Sequence, residues 1–158
     1  MYTDISKQRL MPEGHWQWHT AVPLSQGWKV GDFVFVGGQV SVDEHGNPIG
    51  EGDIELQTRN VFENVAKVLR EAGATWSDVI KLNTYYVVQS GEDAKAVWER
   101  MTKVRLEFLA DPGPAATAVR VVGLMYDELL IEAEVIAYVG EEDVDGNGGP
   151  PADDPEAA

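Results

Sequence analysis

The residue in this chain best placed to do chemistry is a glutamate inside the apolar run LLIEAEVIAYV, residues 129–139. Alternation at period 2 puts Glu132, Glu134, Ile136 and Tyr138 on one strand face, and Ile131, Ala133, Val135 and Val139 on the other. A carboxylate in mid-strand is costly to bury unless it is paired or used. Two readings of Glu134 stay open. In one it is half of a cross-strand ion pair: with a turn at 125–128, antiparallel pairing sets Arg120 opposite Glu134 and Val122 opposite Glu132. In the other it activates water or binds a ligand.

The stretch DPGPAATAVRVVGL (111–124) leads into the preceding strand. Its prolines forbid helix and regular ladder pairing through Pro114, and Thr117 to Val122 then reads as a strand. Arg120 shares a face with Ala116 and Ala118, some 13 Å along the strand from Ala116. It suits either an ion pair or the far acidic end of a long ligand.

Gly37-Gly38-Gln39 is no phosphate loop, because the glycines interrupt a strand and no Gly-Lys-Ser/Thr follows. Close approach of the backbone to a ligand or a neighbouring strand is the better account. HWQWHT (15–20) carries His15 and His19 at the spacing of a helical metal pair, but no nearby carboxylate completes a ligand set. Packing is the first reading, with Trp16 and Trp18 at an interface or pocket rim as the second. No metal site is expected. No serine sits in a nucleophile elbow, and the absence of cysteine excludes thiol catalysis, thiolate zinc and disulfides.

Positioning these residues requires a core, and 158 residues with 44% apolar content suffice for one domain. Neither a signal-like leader nor a membrane-length apolar run is present, so a cytoplasmic place and no membrane contact are expected. The net charge is −15, and residues 141–158 hold seven acids and no base. That composition predicts a disordered acidic tail. With no basic stripe on the body, nucleic acid is a poor partner.

DFVFVGGQVSV (32–42) reads as a strand apolar on both faces. Asp53 caps a helix that carries Ile54, Val61, Val65, Val68 and Leu69 on one stripe and ends at Gly73. VIKLNTYYVV (79–88) is a strand. Ser90 and Asp93 resemble a capping box before a second helix bearing Val97, Trp98, Met101, Val104, Arg105 and Phe108. The order is β-β-α-β-α-β-β, with a first strand at 16–22 or 28–30 and the last two strands joined by a short turn. Two helices cover only one face of such a sheet. The second apolar face, with Phe33 and Phe35, predicts an oligomer.

This order, with GDFVFVGGQVS, VLREAGAT followed by SDVIKLNTYYV, the GPAAT approach and the distal IEAEVIA, resembles the Rid (reactive intermediate deaminase, or YjgF) family over residues 22–139. The resemblance implies an α+β, chorismate-mutase-like single domain over 22–140 after an N-terminal extension (1–21). It also implies a homotrimer with a central barrel and small-molecule pockets at the subunit interfaces. Active members hydrolyse enamines and imines of amino acids without metal or cofactor. An arginine holds the substrate carboxylate, and a last-strand glutamate, here Glu134, positions water.

This chain departs from that pattern. Ala116 stands for the arginine in Pro114-Ala115-Ala116-Thr117, Gly37 for a strand serine and Leu24 for an aromatic. The expected site is Glu134 with Leu24, Gly37, Gly38, Gln39, Ala116, Thr117, Ala118 and Arg120. Without a guanidinium, small 2-imino acids lose their main anchor. A roomier, more apolar pocket then implies a bulky or aromatic substrate, or a metabolite-binding trimer that has lost catalysis.

Overall fold

Asp53 opens the first helix: its carboxylate accepts from the backbone N–H of Glu55 (3.0 Å) and Leu56 (3.1 Å). Two otherwise orphaned donors are satisfied there. Helix α1 runs Ile54–Glu71 and stops where Gly73 takes φ +78°. The predicted stripe of Ile54, Val61, Val65, Val68 and Leu69 is wholly buried, each side chain contributing about 1.5–3 kcal/mol. The computed structural model describes residues 5–140. The acidic segment 141–158 lies outside the described residues.

The strands are β1 (Lys7–Leu10), β2 (Gly27–Val30), β3 (Phe33–Val40), β4 (Val79–Tyr86), β5 (Ala115–Arg120) and β6 (Ile131–Tyr138), with helix α2 (Ala94–Arg105) between β4 and β5. They form one sheet in the order β1-β2-β3-β6-β4-β5. Both helices sit on one face, over Val34, Val36, Leu82, Ala133, Val135 and Ala137. No helix of the described residues is long and apolar enough to cross a membrane.

Four expectations need correction. Of the two positions expected for the first strand, 28–30 is borne out by β2 and 16–22 is not, and β1 adds a sixth strand within the N-terminal extension. Residues 16–22 instead pack as irregular chain, with Trp16 buried beside Val40, Val42 and Leu129. Helix α2 starts at Asp93, not Ser90: the Asp93 carboxylate accepts from Ala96 N–H at 2.9 Å, while Gly91 takes φ +85° in the turn before it. The last two strands form no hairpin. β5 pairs parallel with β4, as a strand–helix–strand crossover through α2 demands, and β6 fills the slot between β3 and β4. Arg120 therefore stands opposite Tyr86, and Glu134 opposite Asn83, so the Arg120–Glu134 ion pair does not form.

The face away from the helices is open, and apolar over β2, β3 and the end of β6. Trp28, Phe33, Phe35 and Tyr138 keep 38–44% of their surface accessible, and the Phe33 and Tyr138 rings lie 5.2 Å apart.

Candidate functional site

Glu134 sits mid-way along β6, flanked by β3 and β4, with its side chain on the open face. Alternation along β4 puts Lys81, Asn83 and Tyr85 on that face too. Asn83 Nδ2 donates to Glu134 Oε1 at 2.9 Å, and Tyr85 OH donates to the same oxygen at 3.2 Å. Neutral donors, not a cation, thus hold the carboxylate. No described residue donates to Oε2. The negative charge of Glu134, with its hydrogen bond, pushes the Tyr85 hydroxyl above its ordinary pKa. Glu132, next on this face, is pushed above the usual carboxylate range by burial and by the Glu134 charge. The site therefore concentrates negative charge and keeps Tyr85 a proton donor.

Beside Glu134 opens a cavity of about 320 Å³, a volume suited to a small metabolite. Trp28, Phe35 and Ile136 form its apolar wall; Ser25, Lys81, Asn83 and Glu134 supply its polar groups. Gly37 lines it where β3 bulges: the register with β6 shifts between Val36 and Gln39. A Cβ at Gly37 would lie 3.4 Å from the carbonyl oxygens of Ser25 and Gln26. A Cβ at Gly38 would meet the Glu132 carboxylate, so that glycine accommodates the neighbouring strand.

Of the expected residues, the structure brings Glu134 and Gly37 together. Leu24 lines a separate cavity with Arg9, Met11 and Trp18. Gln39 corrects the expectation most clearly. It is fully buried on the helix side, where its amide oxygen accepts from Trp16 Nε1 (2.9 Å) and His15 Nε2 (2.8 Å). Its Nε2 donates to Gln26 Oε1 (2.8 Å) and to the Gly37 carbonyl (3.1 Å). It clamps the cavity wall from behind.

Ala116 and Ala118 pair with Leu82 and Thr84, on the face opposite Glu134 of the same chain. Thr117 shares the open face and accepts from Lys81 Nζ at 3.4 Å. Arg120 ends the exposed edge strand. Sequence reading passed over Lys81, Asn83, Tyr85, Ser25 and Trp28. The alternation in VIKLNTYY was the available signal for the first three.

The Gln39 clamp has a pH signature. Trp N–H can only donate, so the Gln39 oxygen faces it, His15 donates from Nε2, and its buried Nδ1 is left without a partner. Burial above all, with the charge of Lys67, holds the His15 pKa below the ordinary value against the opposing Gln39 bond. A histidine kept neutral in the fold gives stability that is present above its unfolded pKa, near 6.5, and lost as pH falls below it. The melting temperature of wild type should therefore drop more between pH 7.5 and 5.5 than that of His15→Gln, by a few degrees. Equal slopes would contradict the assignment.

A family profile described as Endoribonuclease L-PSP matches residues 17–139. A RutC family protein of Pyrococcus abyssi is 43% identical over 116 residues, spanning 73% of this chain and 86% of that protein. The RutC family protein YjgH of Escherichia coli K12 is 31% identical over 139 residues, 87% of this chain and 99% of that one. Among solved structures, RidA from an Antarctic Psychrobacter aligns with a TM-score of 0.70 at 28% identity, covering 84% of this chain and 99% of its own. A structure of the protein YJGH aligns at 0.71 and 31%, covering 86% and 98%. On that profile match and those identities, the chain belongs to the Endoribonuclease L-PSP family, the Rid or YjgF family its sequence resembles.

Proposed function

We propose that the cavity hydrolyses the C=N bond of imines, and of enamines through their imine tautomers, taking a bulky or aromatic amino-acid derivative. The observation that carries this reading is the Glu134 carboxylate. Asn83 and Tyr85 fix it through Oε1, and Oε2 is left for a water beside an aromatic-walled cavity. Glu134 takes a proton from that water as its oxygen bonds to the imine carbon, and the C=N electron pair moves to nitrogen, which is protonated. Glu134 supplies that proton, and the carbinolamine then collapses: Glu134 takes the hydroxyl proton as the C=O forms and passes it to nitrogen as the C–N bond breaks, so ammonia leaves and the carboxylate is regenerated. Imine plus water gives ketone plus ammonia, with no step that calls for a metal or cofactor.

The open face bearing Trp28, Phe33, Phe35 and Tyr138 is continuous with the cavity, and a homotrimer that closes each cavity with a neighbouring chain accounts for it. Within such an assembly the remaining expected site residues, Leu24, Ala116, Thr117, Ala118 and Arg120, would act from the adjacent chain. A second reading, a trimer that binds a metabolite without turnover, is favoured by one observation: alanine at 116, where the family pattern has its arginine.

The imine of phenylalanine, generated in situ by an amino-acid oxidase with catalase present, tests the first reading. Wild type should suppress trapping of that imine by semicarbazide and speed the appearance of phenylpyruvate. Trapping unchanged at micromolar protein would overturn it.

A further inference from the structure

Three cations stand near the cavity, and only one lines it: Lys7 Nζ lies over the Trp28 ring, 5.4 Å from its centroid, and is not part of the lining. Arg9, on β1, spends its guanidinium on Ser25 Oγ (2.8 Å) and the Leu24 carbonyl (2.6 Å), and lies behind Ser25 in the neighbouring cavity. Lys81 lines the Glu134 cavity itself and is the single cation there. In a chain with 27 acids against 12 lysines and arginines, Lys81 still forms no ion pair among the described residues. Its one hydrogen bond is the long one to Thr117 Oγ1, at 3.4 Å.

Lys81 pairs with Ile136, which pairs with Phe35 and through it with Trp28, so the ammonium ends a row of apolar side chains on one face. It precedes Asn83, the donor to Glu134, by two residues, about 6.7 Å along the strand. That offset leaves room for an anionic group on Lys81 and, one carbon farther on, a centre within reach of a water on Glu134. Glu134 on its own would repel an anion; Lys81 offsets that charge at the other end of the cavity.

We propose that Lys81 is the carboxylate anchor of this site, and that its ligands are 2-imino or 2-oxo carboxylates with a planar apolar arm laid along Ile136, Phe35 and Trp28. The assignment rests on the cavity being the imine site, but binding tests it without turnover. Phenylpyruvate, the stable oxo analogue, is titrated calorimetrically into the full chain, with phenylacetone as the probe that lacks the carboxylate.

Lys81→Gln should weaken phenylpyruvate binding at least tenfold and leave phenylacetone unchanged, while Lys81→Arg should stay within a few-fold of wild type. Glu134→Gln should bind phenylpyruvate as tightly or more tightly, since a like charge is removed. Equal affinity in wild type and Lys81→Gln, no binding by wild type, or a loss seen with Arg9→Gln and not with Lys81→Gln would each overturn the assignment. Lys81-dependent binding without hydrolysis would overturn only the hydrolase reading. Hydrolysis with an unaltered KM in Lys81→Gln would overturn only the anchor.

Discussion

Glutamine in place of Glu134 should lower imine hydrolysis at least a hundredfold while leaving the fold intact. The amide has nearly the shape of the carboxylate and keeps an oxygen for Asn83 and Tyr85, but it cannot take a proton from water. A positioned general base contributes about 10²–10⁴-fold, which sets the size of the loss. Asn83→Ala and Tyr85→Phe each remove one donor from Oε1. A hydrogen bond to a charged group is worth about 1.5–3 kcal/mol, so each should cost about tenfold or somewhat more. The ordering matters as much as the sizes. If Glu134→Gln retained most activity while Tyr85→Phe lost it, the phenol and not the carboxylate would carry the proton transfer. Rates with circular dichroism and melting curves for each variant separate chemistry from folding.

The second large effect concerns assembly. Phe33 is 44% exposed on the open face, packs against Tyr138 and does not line the Glu134 cavity. Phe33→Asp places a charge where a neighbouring chain must desolvate it, at a penalty of several kcal/mol per interface. Wild type should scatter light as three chains of 17.3 kDa each, and the variant as one. Because the cavity belongs to the same face, hydrolysis should fall with the trimer. A wild-type mass of one chain, or a variant that stays trimeric, would contradict the assembly.

How far the sequence carries this account depends on what each feature rests on. Helix α1 and strands β3, β4 and β6 are legible because local alternation, the Asp53 cap and Gly73 agree with one another. β1 is not: KQRL is short, mostly exposed and charged, and becomes a strand only because β2 offers it an edge. The β5–β6 hairpin expectation fails for a related reason. Sequence proximity favours pairing neighbours, but α2 forces β5 parallel to β4, and the slot left between β3 and β4 takes the last strand. That non-local insertion decides the partner of Glu134.

The site divides the same way. Glu134 and Gly37 stand out as a carboxylate and a glycine interrupting apolar strands, so their types alone draw attention. Lys81, Asn83 and Tyr85 look like the solvent side of an ordinary strand until β6 brings Glu134 beside them. Ser25 and Trp28 come from the far side of β3 and carry no local mark at all. Gln39 misleads because its sequence neighbours line the cavity while the strand pleat turns its own side chain to the other face.

The central claim is that the Glu134 cavity is an imine site shaped for a planar, bulky arm. The most direct measurement is the ratio of wild-type hydrolysis rates for the imines of phenylalanine and of alanine, each made in situ by the same oxidase under semicarbazide competition. Burial of the aryl arm against Trp28, Phe35 and Ile136 predicts a ratio of at least about ten in favour of the aryl imine, the lower end of what apolar pocket contacts provide. A ratio near one, or faster turnover of the alanine imine, would contradict the account.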